Sequence, residues 1–168
     1  MDANRFWELI GKARTKNEGS DDSGFIEALD EVLQTLPPDE LIAFQKELLT
    51  QDLRGYNWKL WGAAYIINGG ASDDGFDYWR CWLISQGQER FEAALADPDS
   101  LAEWAEEDAE LEELMYAAHE VYEEKADDDI YSHLAPIERP ELDDGWDFDD
   151  EDEMRKRYPK LCARMWDA

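Results

Sequence analysis

Residues 56–87, YNWKLWGAAYIINGGASDDGFDYWRCWLISQG, decide the fold. The run from Tyr56 to Ile67 is densely apolar. Its length and the small Ala63 and Ala64 favour a central buried helix, although residues 65–67 alone would suit a short strand. Gly69 and Gly70 then permit positive φ after that helix. Ser72 or Asp73 is placed to accept the exposed amides of the next one, and Asp74 and Asp77 favour its positive end. Downstream, Phe76, Trp79, Leu83 and Ile84 recur on one helical face, and Arg80 stands three residues after Asp77, a pairing distance. The stretch therefore reads as two core helices joined by a glycine hinge.

Working outward, Phe6, Trp7, Leu9, Ile10 and Ala13 form the stripe of a first helix. A polar loop follows, KNEGSDDSG, with Asp22 or Ser23 as the expected cap of a second helix carrying Phe25, Ile26, Leu29, Val32, Leu33 and Leu36. Pro37 and Pro38 stop that helix, and Pro38 or Asp39 opens a third. Gly55 marks its end. Gly87 closes or bends the helix that begins near Ser72, and residues 88–95 continue as a short one. Asp99 or Ser100 is the expected cap for a segment running from Leu101 to Tyr122, read as one long acidic helix or two abutting ones.

The fold class expected is all-α, a compact single-domain multi-helix bundle. Residues 1–126 make a helical core domain. Residues 127–168 make an acidic, partly irregular C-terminal extension, packed on or tethered to the core. Nine acids lie in residues 141–153, followed by Arg155, Lys156, Arg157, Lys160 and Arg164.

The charge is -27, from 43 Asp and Glu against 16 Lys and Arg. Such a field disfavours direct contact with nucleic acid or anionic membranes and suits a basic protein or a divalent cation. The same composition also serves solubility or adaptation to high salt. The first residues lack the apolar core of a signal peptide, no segment approaches a membrane span, and the two cysteines do not make a disulfide scaffold. A cytoplasmic location is the expectation.

Several stretches together resemble one family: FWELI near the start, LPPDELIAFQ, residues 56–87, and FEAALADPDSLAE. They are similar to bacterial proteins of the DUF4240 domain family over roughly residues 1–122. The resemblance implies a shared helical intracellular domain. It carries over no catalytic residue.

Chemistry offers few sharper signals. The segment from Gly69 to Gly75 lacks the lysine of a P-loop and the spacing of a dinucleotide fingerprint, and its acids repel phosphate. Asp73, Asp74 and Asp77 also fail the EF-hand spacing. A carboxylate metal site there is the weaker reading, against a helix cap built from Ser72, Asp73, Asp74, Asp77 and Arg80. His119 and Glu123 are four apart, without a second histidine at zinc-motif spacing, and His133 is distant. Cys81 reads as buried and Cys162, among basic residues, as the more accessible thiol. No cofactor is assigned.

The leading functional expectation is a non-enzymatic acidic interaction or regulatory domain. It binds a basic partner through residues 103–113 and 141–153, with Trp104, Trp146 and Phe148 as aromatic anchors and Glu151 among the contacting acids. The alternatives are a divalent-metal-dependent enzyme near Asp73, Asp74 and Asp77, and an acidic mimic that inhibits a nucleic-acid-binding protein.

Overall fold

A computed structural model describes residues 1–17, 21–142 and 144–167. Residues 18–20 of the expected polar loop, Asp143 of the acidic run and the terminal Ala168 lie outside these. Among the described residues the elements are α-helices and short 3-10 turns, with no strand, and residues 65–67 are helical.

Most of the helices begin where a side chain caps the exposed amides or a proline removes one; the two that follow Gly87 and Tyr116 have no side-chain cap among the described residues. In α1 (Ala3–Lys16) the Asp2 carboxylate accepts from the Arg5 amide at 2.8 Å. In α2 (Asp22–Gln34) the cap is Asp21, one residue before the expected Asp22, and it accepts from the Gly24 amide at 3.0 Å. α3 (Pro38–Arg54) starts on Pro38, whose missing amide hydrogen costs nothing at a helix start. Asn57 caps α4 (Trp58–Asn68). Gly69 ends it at φ 68°, and Gly70 follows at φ 133°, a pair of positive values that side-chain-bearing residues rarely adopt. α5 (Asp73–Ser85) is capped by Ser72, whose hydroxyl accepts from the Gly75 amide at 3.1 Å. After Gly87 comes α6 (Gln88–Ala96).

The segment expected as a long helix from Leu101 to Tyr122 takes another form. A 3-10 turn (Pro98–Glu103) leads into an irregular ribbon, then a second 3-10 turn (Glu112–Met115), and only then α7 (Ala117–Ala126). Two forces oppose the helix. Glu103, Glu106, Glu107 and Glu110 would stack like charges at helical spacing. The body also supplies competing backbone partners: the Asn68 amide group bonds both Ala109 N (3.0 Å) and Ala109 O (3.1 Å), and Leu111 N donates to Tyr78 O at 3.0 Å.

The core forms one compact multi-helix bundle. Phe6, Phe44, Trp79, Phe76 and Phe91 are fully buried, and α1 packs on α2, α3 on α7, and α2 on α7. Arg80 is only 1% exposed. It is held by Asp52 (2.9 and 3.1 Å) and Asp77 (2.7 Å), with its guanidinium 4.5 Å from the Phe76 ring centre.

The C-terminal residues return to this body. Phe148 stacks on Trp58 with centroids 4.5 Å apart, and the Trp58 indole donates to Trp146 O at 3.2 Å. α8 (Glu151–Arg157) and α9 (Pro159–Met165) bury Met154, Tyr158, Leu161 and Cys162. Tyr158 donates to Lys59 O at 2.6 Å. Asp99 does not cap the segment beside it, where Asp97 does so. Its carboxylate instead accepts from Lys160 N (3.2 Å) and Leu161 N (2.9 Å), at the start of α9.

Candidate functional site

The ribbon is built by alternation. Ala105, Ala109, Leu111 and Leu114 turn inward and are buried, while Glu106, Glu107, Asp108, Glu110, Glu112 and Glu113 stand exposed between them. Asp108 takes a left-handed φ of 59°, which an aspartate tolerates better than a branched residue does. The acids are thus presented by a pinned backbone, not by a free tail.

Facing the ribbon is the outer side of α2. Between the two banks run three cavities of about 750, 350 and 500 Å³. They are contiguous: Asp22 lines the first and second, and Ile26, Glu27 and Glu113 line the second and third. The result is a groove with carboxylates on both banks, and with Ile26 and the 40%-exposed Tyr116 as its apolar contacts. Burial, then the adjacent Asp21 charge, raises the Asp22 carboxyl above its ordinary pKa; Arg14 opposes this in part, and Glu113 across the groove adds to it. Crowded carboxylates of this kind favour a cation between them.

The wide end of the groove is different. Arg14 and Arg90 line it together with Trp82 and Trp104. Trp104 stacks on Trp82 at 5.4 Å, and the Arg90 guanidinium lies 4.4 Å from the Trp104 ring centre. Trp104 is therefore the expected anchor that reaches this groove. Trp146 and Phe148 lie instead against α4, with the Arg157 guanidinium 3.7 Å from the Trp146 ring centre. Glu151 is exposed in the first turn of α8.

Four of the nine acids of the C-terminal run are engaged with their own chain. Asp150 caps α8, Asp147 accepts from the Asp149 amide, Asp149 accepts from the Tyr65 hydroxyl, and Glu153 pairs with Arg157. By contrast, among the described residues Glu106, Glu107, Asp108, Glu110 and Glu113 have no cationic side chain within ion-pair distance.

Asp73, Asp74 and Asp77 are not brought together. The first two are exposed in the first turn of α5, and Asp77 is occupied by Arg80 and by Arg139 at 2.8 Å. Among the described residues no group of three or more His, Cys, Asp or Glu is arranged to hold a metal ion. His119 faces Glu123 at 3.5 Å, and His133 faces Asp128 at 2.7 Å.

Cys162, expected as the accessible thiol, is 1% exposed, and Cys81 is 2% exposed. Burial pushes the Cys162 thiol up to about 11 and raises Cys81 as well. Because the thiolate is the reactive form, both are expected to resist iodoacetamide in the native protein at about pH 8 and to react once urea unfolds it. A thiol titrating rapidly without denaturant would contradict this.

Sequence reasoning did not single out Arg14, Arg90, Asp22, Glu27 or Tyr116 as site residues. The available signal was the acidic outer face of α2, which is ordinary for an amphipathic helix until a second acidic bank is seen opposite it.

No curated protein and no solved structure matches the chain. The family model described as "Protein of unknown function (DUF4240)" matches residues 1–124. That span takes in both banks of the groove and the two arginines at its end, and the chain belongs to the DUF4240 family.

Proposed function

We propose that this helical domain is a protein-interaction module whose groove, between α2 and the acidic ribbon, docks a basic segment of a partner protein. The observation that carries this reading is the pair of facing acidic banks, joined by cavities that share lining residues. A cationic segment lying between them gains from both rows, while Ile26, Tyr116 and Trp104 supply apolar contact. The wider negative field raises the rate of encounter, and the banks select the register.

Any polycation is attracted to a chain of charge -27, so the test must hold net charge constant. One variant carries Glu106→Gln, Glu107→Gln, Glu110→Gln and Glu113→Gln. A control removes four exposed charges elsewhere: Glu138→Gln, Glu141→Gln, Asp144→Asn and Asp152→Asn. Binding of labelled lysine- and arginine-rich peptides is followed by fluorescence anisotropy at about 150 mM salt, where long-range attraction is screened. The ribbon variant is expected to bind on the order of tenfold more weakly than the control. Equal losses in the two would reduce the effect to bulk charge and overturn the reading.

A further inference from the structure

We propose that the groove has a direction: its wide end, at Arg14 and Arg90, receives the C-terminal carboxylate of the docked basic segment. This deepens the docking reading above and rests on it.

The two arginines differ from most others in the chain. Arg5, Arg54, Arg80, Arg139, Arg155 and Arg157 each pair with a carboxylate. Among the described residues no carboxylate lies within 4.0 Å of Arg14 or Arg90, in a chain with 43 acids. Both are nevertheless held in place. Arg14 Nη1 donates to Ser85 O at 2.9 Å, and Arg90 lies over Trp104 while donating to Gln86 Oε1 at 3.3 Å. An arginine has five N–H donors in a planar fork, so these contacts leave each side chain oriented with donors to spare. Burial, and then the neighbouring charge of Arg90, lowers the Arg14 pKa, and the charge of Asp22 offsets only part of this. An anion placed between the two groups would offset their mutual repulsion.

The choice of anion follows from the neighbours. Asp21, Asp22, Glu106 and Glu107 line the same cavity. A dianionic phosphate would meet their repulsion in full. A single carboxylate carried on a cationic segment does not, because its own positive side chains lie along the acidic banks. The two arginines bind the terminus in the planar, forked manner suited to carboxylates. The half-buried Trp104, stacked on Trp82, offers aromatic surface beside it.

The test uses N-terminally labelled eight-residue peptides rich in lysine and arginine, in matched pools with a free C-terminal carboxylate or a C-terminal amide. The amide carries one more net positive charge, so the field of the whole protein predicts that it binds more tightly. The proposal predicts the reverse: the free acid binds about tenfold more tightly, as expected for a charge-assisted bidentate contact. In the Arg14→Gln, Arg90→Gln protein this preference disappears, and the amide binds as well as before or better. Arg90→Gln alone, which removes no contact to the backbone, weakens the preference and guards against a folding defect in the double variant.

If acid and amide pools bind wild type equally, while the four ribbon substitutions weaken both, the terminus assignment falls and the docking reading stands. If neither pool distinguishes the ribbon variant from its control, the docking reading falls as well. Displacement of the free-acid pool by equimolar inorganic phosphate would mark a general oxyanion site and overturn the assignment to a chain terminus.

Discussion

Arg80→Met is expected to lower the unfolding free energy by about 3–5 kcal/mol, the usual cost of removing one partner from a buried ion pair. The Met side chain replaces most of the packing volume. It leaves the carboxylates of Asp52 and Asp77, with side chains 23% and 16% exposed, without the guanidinium that joins them. Arg139 still reaches Asp77 at 2.8 Å, so the uncompensated charge falls chiefly on Asp52. Adding Asp52→Asn to Arg80→Met should therefore recover part of the loss. Urea unfolding followed by tryptophan fluorescence measures both. A loss below about 1 kcal/mol for the single variant would place Arg80 among the weak surface pairs and contradict its role as a core charge. The buried Nη1 of Arg80 has no hydrogen-bond partner among the described residues. The nearby rings of Phe76 and Tyr56, at 4.5 and 5.1 Å from the guanidinium, are its electrostatic compensation.

The second large effect is expected from the smallest change. Gly62 lies in α4, where a Cβ would collide with the Tyr158 hydroxyl and approach its Cζ to 3.0 Å. In an exposed helix Gly→Ala stabilises. Here the methyl group must displace the tyrosine that closes α8 onto α9. Overpacking costs about 1–3 kcal/mol, and losing the hydroxyl bond to Lys59 O adds about 1 kcal/mol. A shift of Tyr158 would also carry Met154, Leu161 and Cys162 out of contact. The result expected is a lower unfolding midpoint together with faster alkylation of Cys162 than of Cys81. Gly62→Ala paired with Tyr158→Phe, which removes the colliding oxygen but also the bond to Lys59 O, should restore part of the midpoint. An unchanged or raised midpoint in the single variant would mean that the helix gain outweighs the clash.

The parts of the fold legible in the sequence are those decided within a few residues. Pro38, Ser72 and the Gly69–Gly70 pair each announce a boundary through their own backbone chemistry, and the apolar stripes of α1 and α5 match the faces they bury, as does that of α2 except for Ile26. What escaped is what distant residues decide. The ribbon has apolar positions a helix could use, yet the Asn68 side chain takes both backbone groups of Ala109, and nothing in the local sequence announces that. Asp99 is recognisable as a capping residue, but its target lies 61 and 62 positions ahead. The groove was harder still: the acidity of residues 103–113 was plain, while the opposing bank on α2 and the arginine pair from α1 and α6 meet only in three dimensions.

The carboxylate of Asp99 also bears on the order in which the chain acquires its shape. α9 has seven residues, well below the length at which a helix sustains itself in water, and its first amides rely on an acceptor from the turn at Pro98–Glu103. Nucleation of the terminal helix must therefore wait until the turn at Pro98–Glu103 has formed. With that turn in place between α6 and α7, the helices α1 to α7 can be complete before α9 has formed.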